Sequence, residues 1–459
     1  MEIMDDQVLN ETISWKCVRL KKLEEVYRVF KATPLEIDDL DFYVSVSDAR
    51  GNLEPRSRIA RLLLSDQSFQ GVQHILFVGY RGCGKSTELN HLQKDIEKDY
   101  LSLSFSVQSE LDSIHLNFIE LYIITMELLF RTAADHKLAV RPEYIQNITH
   151  WLMTKEIEEI REKYIGAEGE IGAGTNIDLP WLVNFFAKFK MSSKTSNSLK
   201  ETLKKNIEPK LSELIFHCNT LITEIRNQLD KIGKKDLLLI IEDLDKIPLN
   251  RASDLFFTHV NQLVLLKTNI IFTFPVALYY HIKFRGIRSY FNEVFELPMV
   301  KVREKNQDPS ETGIAGMTRI IEKRMDLGLF DDEALLRQLI LDSGGCFRDL
   351  FLMIQEASQI ALDGNRQKII ESDRRSAFTK LKKEYDASIA DFTLDGVKYT
   401  ASGYYDTLVA LATDETKKPE NTNEVLHLRQ NLCILGYNGE GWCDVHPIVR
   451  AILKERNKL

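Results

Sequence analysis

Four short segments break the otherwise helical pattern of the chain. His74–Val78 is an apolar run ahead of a glycine-rich turn, and Leu237–Ile241 is five aliphatic residues in succession. Asn269–Pro275 is a third apolar run, and Ser102–Val107 alternates. Short unalternated runs predict strands buried on both faces of a parallel sheet, and the alternating one predicts a strand beside them. A further short strand is expected near Val294–Val300. Between Val107 and Leu237 the spacing is helical, over about 108–235. Asp112–His136 and Pro142–Tyr164 are two pieces of it, and the Gly-rich 165–180 reads as a loop. In Leu199–Ile232 the apolar positions Leu203, Ile207, Leu211, Leu214, Cys218, Leu221, Ile225, Leu229 and Ile232 step by three or four. That stripe predicts one long helix that packs within the chain or pairs with a partner helix.

The flanks differ from this core. Residues 1–70 read as a helical and extended lead-in that starts as an amphipathic helix and breaks at Pro34. Residues 313–385 are helical throughout, and another helix starts at Ser372-Asp373. At the end, Gly403–Thr413 and Asn423–Cys433 read as helices. A hairpin follows with its turn at Asn438-Gly439-Glu440-Gly441, and Pro447 opens a last helix. The expected units are a lead-in (1–70), an α/β core (71–300) with its helical insertion, a helical lid (301–390) and a C-terminal helix-and-hairpin domain (391–459).

Composition narrows the class. The 459 residues are 44% hydrophobic and 28% charged, ordinary for a globular protein of two or three domains. The most apolar long helix, Leu116–Phe130, is interrupted by Asn117, Glu120 and Glu127, so no membrane span is expected. The acidic start MEIMDDQVLNE lacks the features of a signal peptide. Six scattered cysteines without metal spacing predict reduced thiols and a cytoplasmic location. A net charge of −8 makes nucleic acid a poor default partner; residues 391–459 carry 8 Lys/Arg against 10 Asp/Glu, which weakens a DNA-binding reading of the hairpin.

The chemistry concentrates after the first strand. Gly79-Tyr80-Arg81-Gly82-Cys83-Gly84-Lys85-Ser86 fits G-x-x-x-x-G-K-[ST] at every position, and Thr87 continues into a helix. Glycines let the backbone aim N–H groups inward, and the helix N-terminus adds partial positive charge where phosphates would sit. Lys85 reaches β- and γ-phosphates, and Ser86 is a ligand for Mg²⁺. The strand Leu237–Ile241 ends in Glu242-Asp243-Leu244-Asp245. Carboxylates at such a tip lie where open α/β sheets bind ligands, one to hold the metal and the next to orient water. Thr273 is placed to touch the γ-phosphate or that water, unless backbone groups take its hydroxyl.

These parts, in this order, resemble AAA+ ATPases, in particular the branch of replication initiators and STAND signalling ATPases, and among them bacterial ATPases of regulatory and defence operons. The resemblance covers about residues 40–390; the phosphate loop and LLLIIEDLDKI are its specific elements. It implies that Gly79–Ser86 is the Walker A motif and Glu242-Asp243 the Walker B pair, in Glu-Asp rather than the usual Asp-Glu order. Register then gives Glu242 to Mg²⁺ and Asp243 to the water, with Asp245 assisting either. It puts Thr273 at the sensor-1 position and Arg348, in Gly344–Leu350, at sensor 2 in the lid; the alternative is a solvated helix arginine. Arg288, with Arg285 as runner-up, falls where a finger is donated to a neighbouring subunit; the alternative is a surface ion pair. The C-terminal end is implied to be winged-helix-like. The 108–235 insertion departs from a minimal core.

The resulting expectation is an ATP-binding and hydrolysing switch with Mg²⁺, acting as a homo-oligomer or on a separate effector protein. A DNA-acting loader or initiator is the alternative. A protein that binds ATP only structurally and a small-molecule kinase are further readings; the intact acidic pair argues against the first, and the lack of an acceptor site against the second. Cys83 and His446 are expected to be structural.

Overall fold

The computed structural model describes residues 19–65, 71–154, 178–394, 397–437 and 441–459. Its centre is a five-stranded, all-parallel sheet: β1 (His74–Gly79), β2 (Tyr100–Ser106), β3 (Asp236–Glu242), β4 (Asn269–Pro275) and β5 (Glu293–Leu297), in the order β2-β3-β4-β1-β5. Every residue of β1 and β4 is buried, as is Leu237–Ile241 of β3, and β2 and β5 at the edges expose part of their length. The unalternated aliphatic runs are therefore the interior strands, as parallel pairing covered by helices requires. Because β4 lies between β1 and β3, the strand bearing Thr273 separates the strand that leads into the phosphate loop from the strand with the acidic tip. This is a P-loop α/β fold.

The lead-in is not the amphipathic helix expected before Pro34. A 3-10 turn (Leu23–Glu25) and a single helical turn (Val26–Val29) end at Phe30, whose ring packs edge-on against Phe351 at 5.3 Å. Pro34 keeps Thr33 from helical angles. Within the same helical and extended lead-in follows a helix that no local pattern singled out, α1 (Pro55–Leu64), with Pro55 in its first turn.

The first strand runs through the glycine-rich loop into α2 (Lys85–Ile96). The insertion holds α3 (Phe118–Asp135), α4 (Pro142–Leu152), α5 (Leu179–Thr195), α6 (Asn197–Asn206) and α7 (Leu211–Arg226). Asn117 caps α3: its side chain accepts from Ile119 N at 3.0 Å, and Glu120 accepts from Asn117 N at 2.9 Å. That box starts the helix at Phe118 rather than near Asp112. The expected continuous helix Leu199–Ile232 is broken. Pro209 lacks an N–H and forces a 3-10 turn (Glu208–Lys210) between α6 and α7, and a second one-turn segment spans Leu229–Ile232. Leu214, Cys218, Leu221, Ile225 and Leu229 of the stripe are buried within the chain, α7 packing on α3. Most of the Gly-rich 165–180 and the end of Pro142–Tyr164 lie outside the described residues.

His217 on α7 is buried beside the rings of Trp151 and Tyr144, at 5.4 and 6.0 Å, and burial holds its pKa down at about 4. The unfolded chain binds this proton near pH 6.5, so stability falls as pH drops from 6.5 toward 4, by roughly 2–3 kcal/mol. The expected result is a pH-dependent loss of melting temperature in that window that His217→Gln flattens.

The lid is α8 (Glu311–Arg324), α9 (Glu333–Asp342), α10 (Phe347–Asp363) and α11 (Glu371–Ser388). The C-terminal unit has a small unexpected hairpin, β6 (Phe392–Leu394) with β7 (Val397–Tyr399). Helices α12 (Ala401–Thr413) and α13 (Asn423–Gln430) follow, then the hairpin β8 (Ile434–Tyr437) with β9 (Trp442–Val445), and α14 (Pro447–Glu455). Residues 438–440 of the expected turn lie outside the described residues. Among the described residues, no helix is long and apolar enough to cross a membrane.

Candidate nucleotide site

The loop between β1 and α2 turns through Gly82 (φ +75°) and Gly84 (φ +99°), conformations that side chains disfavour. Space excludes side chains too: a Cβ on Gly82 would lie 2.6 Å from Cys346 Sγ, and one on Gly84 3.2 Å from the Phe347 ring. The start of α10 is thus pressed onto the loop, and Phe347 N donates to Gly82 O at 3.1 Å. What allows this approach is the Gly344-Gly345 turn, with φ of +59° and +83°; a Cβ on Gly345 would fall 1.8 Å from Val300 O. Arg348, in the first turn of α10, sits with its Cβ 3.0 Å from the Gly82 Cβ position.

Lys85 is fully buried and folded back. Its Nζ donates to Gly79 O (2.8 Å) and Tyr80 O (2.9 Å) and pairs with Asp245 Oδ2 at 2.9 Å. Burial works against both charges. The pair overcomes it, holding Lys85 above its ordinary pKa and Asp245 below its own. Arg81 donates to Lys246 O at 2.8 Å; burial pulls its pKa down, and nearby Arg348 adds to that while Asp245 and Asp243 oppose it. Two half-buried guanidinium groups so close together suit an anion between them.

At the tip of β3, burial pushes the Glu242 carboxyl up to about 7, with the Ser86 hydroxyl beside it partly offsetting the rise. Asp243 has φ +66° and both oxygens engaged: Ser106 Oγ donates to Oδ2 at 2.5 Å, and Lys246 Nζ lies 2.5 Å from Oδ1. Thr273 is buried and backbone groups take its hydroxyl, which accepts from Leu244 N at 3.1 Å and donates to Ile241 O at 3.4 Å. It fixes the acidic turn rather than facing an open site.

A cavity of about 1190 Å³ opens on the loop. Gly82, Gly84, Lys85, Ser86, Thr87, Arg81, Asp245 and Arg348 line it, with the apolar Phe42, Val44, Val46, Ile320, Phe347 and Phe351 and with Arg324, whose guanidinium lies over the Phe42 and Phe351 rings. The lead-in forms one wall. Leu35 N donates to Thr87 Oγ1 (3.1 Å), Asn90 Nδ2 to Leu35 O (2.8 Å), and Arg50 to Cys83 O. Sequence reasoning missed Arg50, Leu35 and the apolar lining residues, since no local pattern marks them. Arg288 and Arg285 do not line this cavity. Arg288 donates to Phe291 O at 2.6 Å and lies 3.8 Å from Glu293. The acidic tip, the loop and Arg348 are brought together; the two finger candidates are not.

No ligand cluster of three or more His, Cys, Asp or Glu occurs among the described residues. The donor set at Ser86 and Glu242, a hydroxyl beside a carboxylate, is nevertheless hard and oxygen-only, as Mg²⁺ requires.

No protein-family model matches the chain, and no curated protein matches it. Several solved structures are similar in shape. A Walker-type ATPase of Pyrococcus abyssi is 12% identical, with 93% of this chain and 99% of that one covered, at a TM-score of 0.41. The Aeropyrum pernix ORC1 protein in complex with DNA is 9% identical, covering 90% and 94%, at 0.40. Aeropyrum pernix ORC2, in ADPNP–ADP complexes, is 11% identical, covering 88% and 94%, at 0.37. Similarity at this level says nothing of activity or partners.

Proposed function

We propose that the chain is an ATPase of the AAA+ type, which binds Mg²⁺·ATP between the phosphate loop and the lid and hydrolyses it. The observation that carries this is convergence. Lys85 and Ser86, Glu242 and Asp243, and Arg348 come from three distant stretches of chain and meet at one end of the parallel sheet, beside a cavity whose lining includes apolar side chains that suit a base. In this reading the N–H groups of Gly79 through Thr87, with Tyr80, Arg81 and Cys83 between the glycines, wrap the phosphates. Lys85 leaves Asp245 for the β- and γ-phosphates. Ser86 and Glu242 hold Mg²⁺, which supplies charge neutralisation to the phosphoryl group. Asp243 orients the attacking water, and Arg348 reads the γ-phosphate from the lid. Contact of one phosphate with both core and lid is what biases two conformations. Output through a separate effector or a homo-oligomer follows from the same reading. The bacterial regulatory or defence setting, and the STAND kinship, rest on the sequence resemblance alone.

A finger role for Arg288 requires a second copy, since the residue does not reach the cavity of its own chain. Arg288→Ala is then expected to leave ATP affinity within about twofold and to lower turnover by on the order of 10³. Unchanged turnover would return Arg288 to a surface pair with Glu293, and Arg285→Ala would be measured next.

The C-terminal unit favours a second reading, a DNA-acting loader or initiator. The order of helices followed by a hairpin supports it, because the sequence resemblance reads that order as a winged-helix-like end. That reading predicts ATP turnover stimulated by duplex DNA and binding that weakens steeply with salt. Turnover indifferent to DNA supports the switch.

A further inference from the structure

Arg429 and Gln430, adjacent on α13, reach out of the C-terminal unit into the nucleotide site. Arg429 Nη1 donates to the Tyr80 hydroxyl at 2.7 Å, and Gln430 Nε2 donates to Asp245 O at 3.0 Å. Tyr80 and Asp245 are also two of the residues that Lys85 grips, through Tyr80 O and the Asp245 carboxylate. The same pair of residues is therefore held from the phosphate side by Lys85 and from the opposite side by α13.

We propose that the Tyr80–Arg429 and Asp245–Gln430 contacts form a latch by which the C-terminal unit senses the phosphate loop, and that nucleotide binding opens it. This rests on the ATP-binding reading above. Lys85 cannot donate to phosphates while it caps Tyr80 O and pairs with Asp245, so binding loosens both anchors of α13 at once. The latch is poised to open. Arg429 is 2% exposed, its guanidinium lies 4.1 Å from the Tyr280 ring centroid, and no carboxylate within ion-pair distance accompanies it among the described residues. Glu296, close enough to feel the charge of Arg429, accepts from the Tyr280 hydroxyl at 3.2 Å. Hydrogen bonds from Arg429 to the Tyr80 hydroxyl and, at 3.4 Å, to Cys443 Sγ, together with the Tyr280 face, hold the guanidinium, so the latch rests on neutral partners rather than on an ion pair. The fit is also tight, since a Cβ on Gly436 would sit 2.8 Å from the Tyr80 hydroxyl oxygen. While the latch is closed, Val425, Leu426, Leu428, Arg429 and Gln430 of α13 are buried, so this helix presents those residues to no other molecule.

The test is hydrogen exchange of residues 423–430 in the full chain, with and without Mg²⁺·ATP, alongside calorimetric ATP binding on the same sample. The expected result is exchange at least about tenfold faster with ATP bound. Arg429→Met, in which the latch is already weakened, is expected to exchange quickly without nucleotide and to bind ATP about fivefold tighter or more, because coupling is reciprocal. Bound ATP with unchanged exchange of 423–430 would overturn the latch and leave the ATPase reading standing. Absence of ATP binding would overturn both, and the calorimetry tells these failures apart. Should Arg429→Met fail to fold, the wild-type exchange comparison alone decides.

Discussion

Lys85→Ala is expected to abolish measurable ATP binding and, separately, to lower the melting temperature of the nucleotide-free protein. The first effect follows from losing charge-assisted hydrogen bonds to two phosphates, at about 1.5–3 kcal/mol each, a loss of a hundredfold or more in affinity. The second follows from Asp245. With Lys85 gone, a carboxylate that is 3% exposed keeps no counter-charge at its Oδ2, and breaking a buried pair from one side costs about 3–5 kcal/mol. Lys85→Ala with Asp245→Asn is therefore expected to regain most of the stability and none of the binding. Isothermal titration with Mg²⁺·ATP and thermal unfolding, run on both variants, separate the two roles. A single variant as stable as the wild type would mean that the Lys85–Asp245 pair contributes nothing to the fold.

Glu242→Gln and Asp243→Asn are expected to retain ATP, within a few-fold, and to lose about a hundredfold or more in turnover. Glu242→Gln should also differ from the wild type in the pH dependence of its stability. Glu242 carries its proton up to about 7 in the folded, metal-free protein against 4.5 for an ordinary glutamate, because it is buried. The folded state then binds more protons than the unfolded state between those values, so the wild type loses stability as pH rises through the window. Glu242→Gln has no such proton to lose. Its advantage over the wild type should appear above about pH 5 and level off above pH 7, without Mg²⁺. Normal hydrolysis by both variants would mean that the tip of β3 is not the catalytic edge.

The parts of the fold legible in the sequence are those set by local pattern. The aliphatic runs of β1, β3 and β4 are buried from end to end, and the phosphate loop lies between β1 and α2 as its spacing implied. The breaks and the sheet order were not equally legible. The apolar stripe of Leu199–Ile232 continues across Pro209, so periodicity alone ran one helix through a residue that stops it. Nothing local signals that β4 sits between β1 and β3. In the site, Lys85, Ser86, Glu242 and Asp243 stand in recognisable motifs. The partners that give them their present state do not: Arg50 on Cys83 O, Arg429 on Tyr80 and Gln430 on Asp245 are contacts over large sequence separations, made by residues that look ordinary in their own surroundings. Thr273 shows the opposite limit. Its position was readable, but the backbone groups that occupy its hydroxyl belong to the neighbouring strand and the turn after it.

Mass and ATP turnover, measured on one purified sample with and without ATP and duplex DNA, decide whether the chain spends ATP and what it acts on. The expected result is magnesium-dependent hydrolysis that DNA does not stimulate, with an ATP-dependent increase in mass if Arg288 acts on a neighbour. A protein that neither binds nor hydrolyses ATP would contradict it.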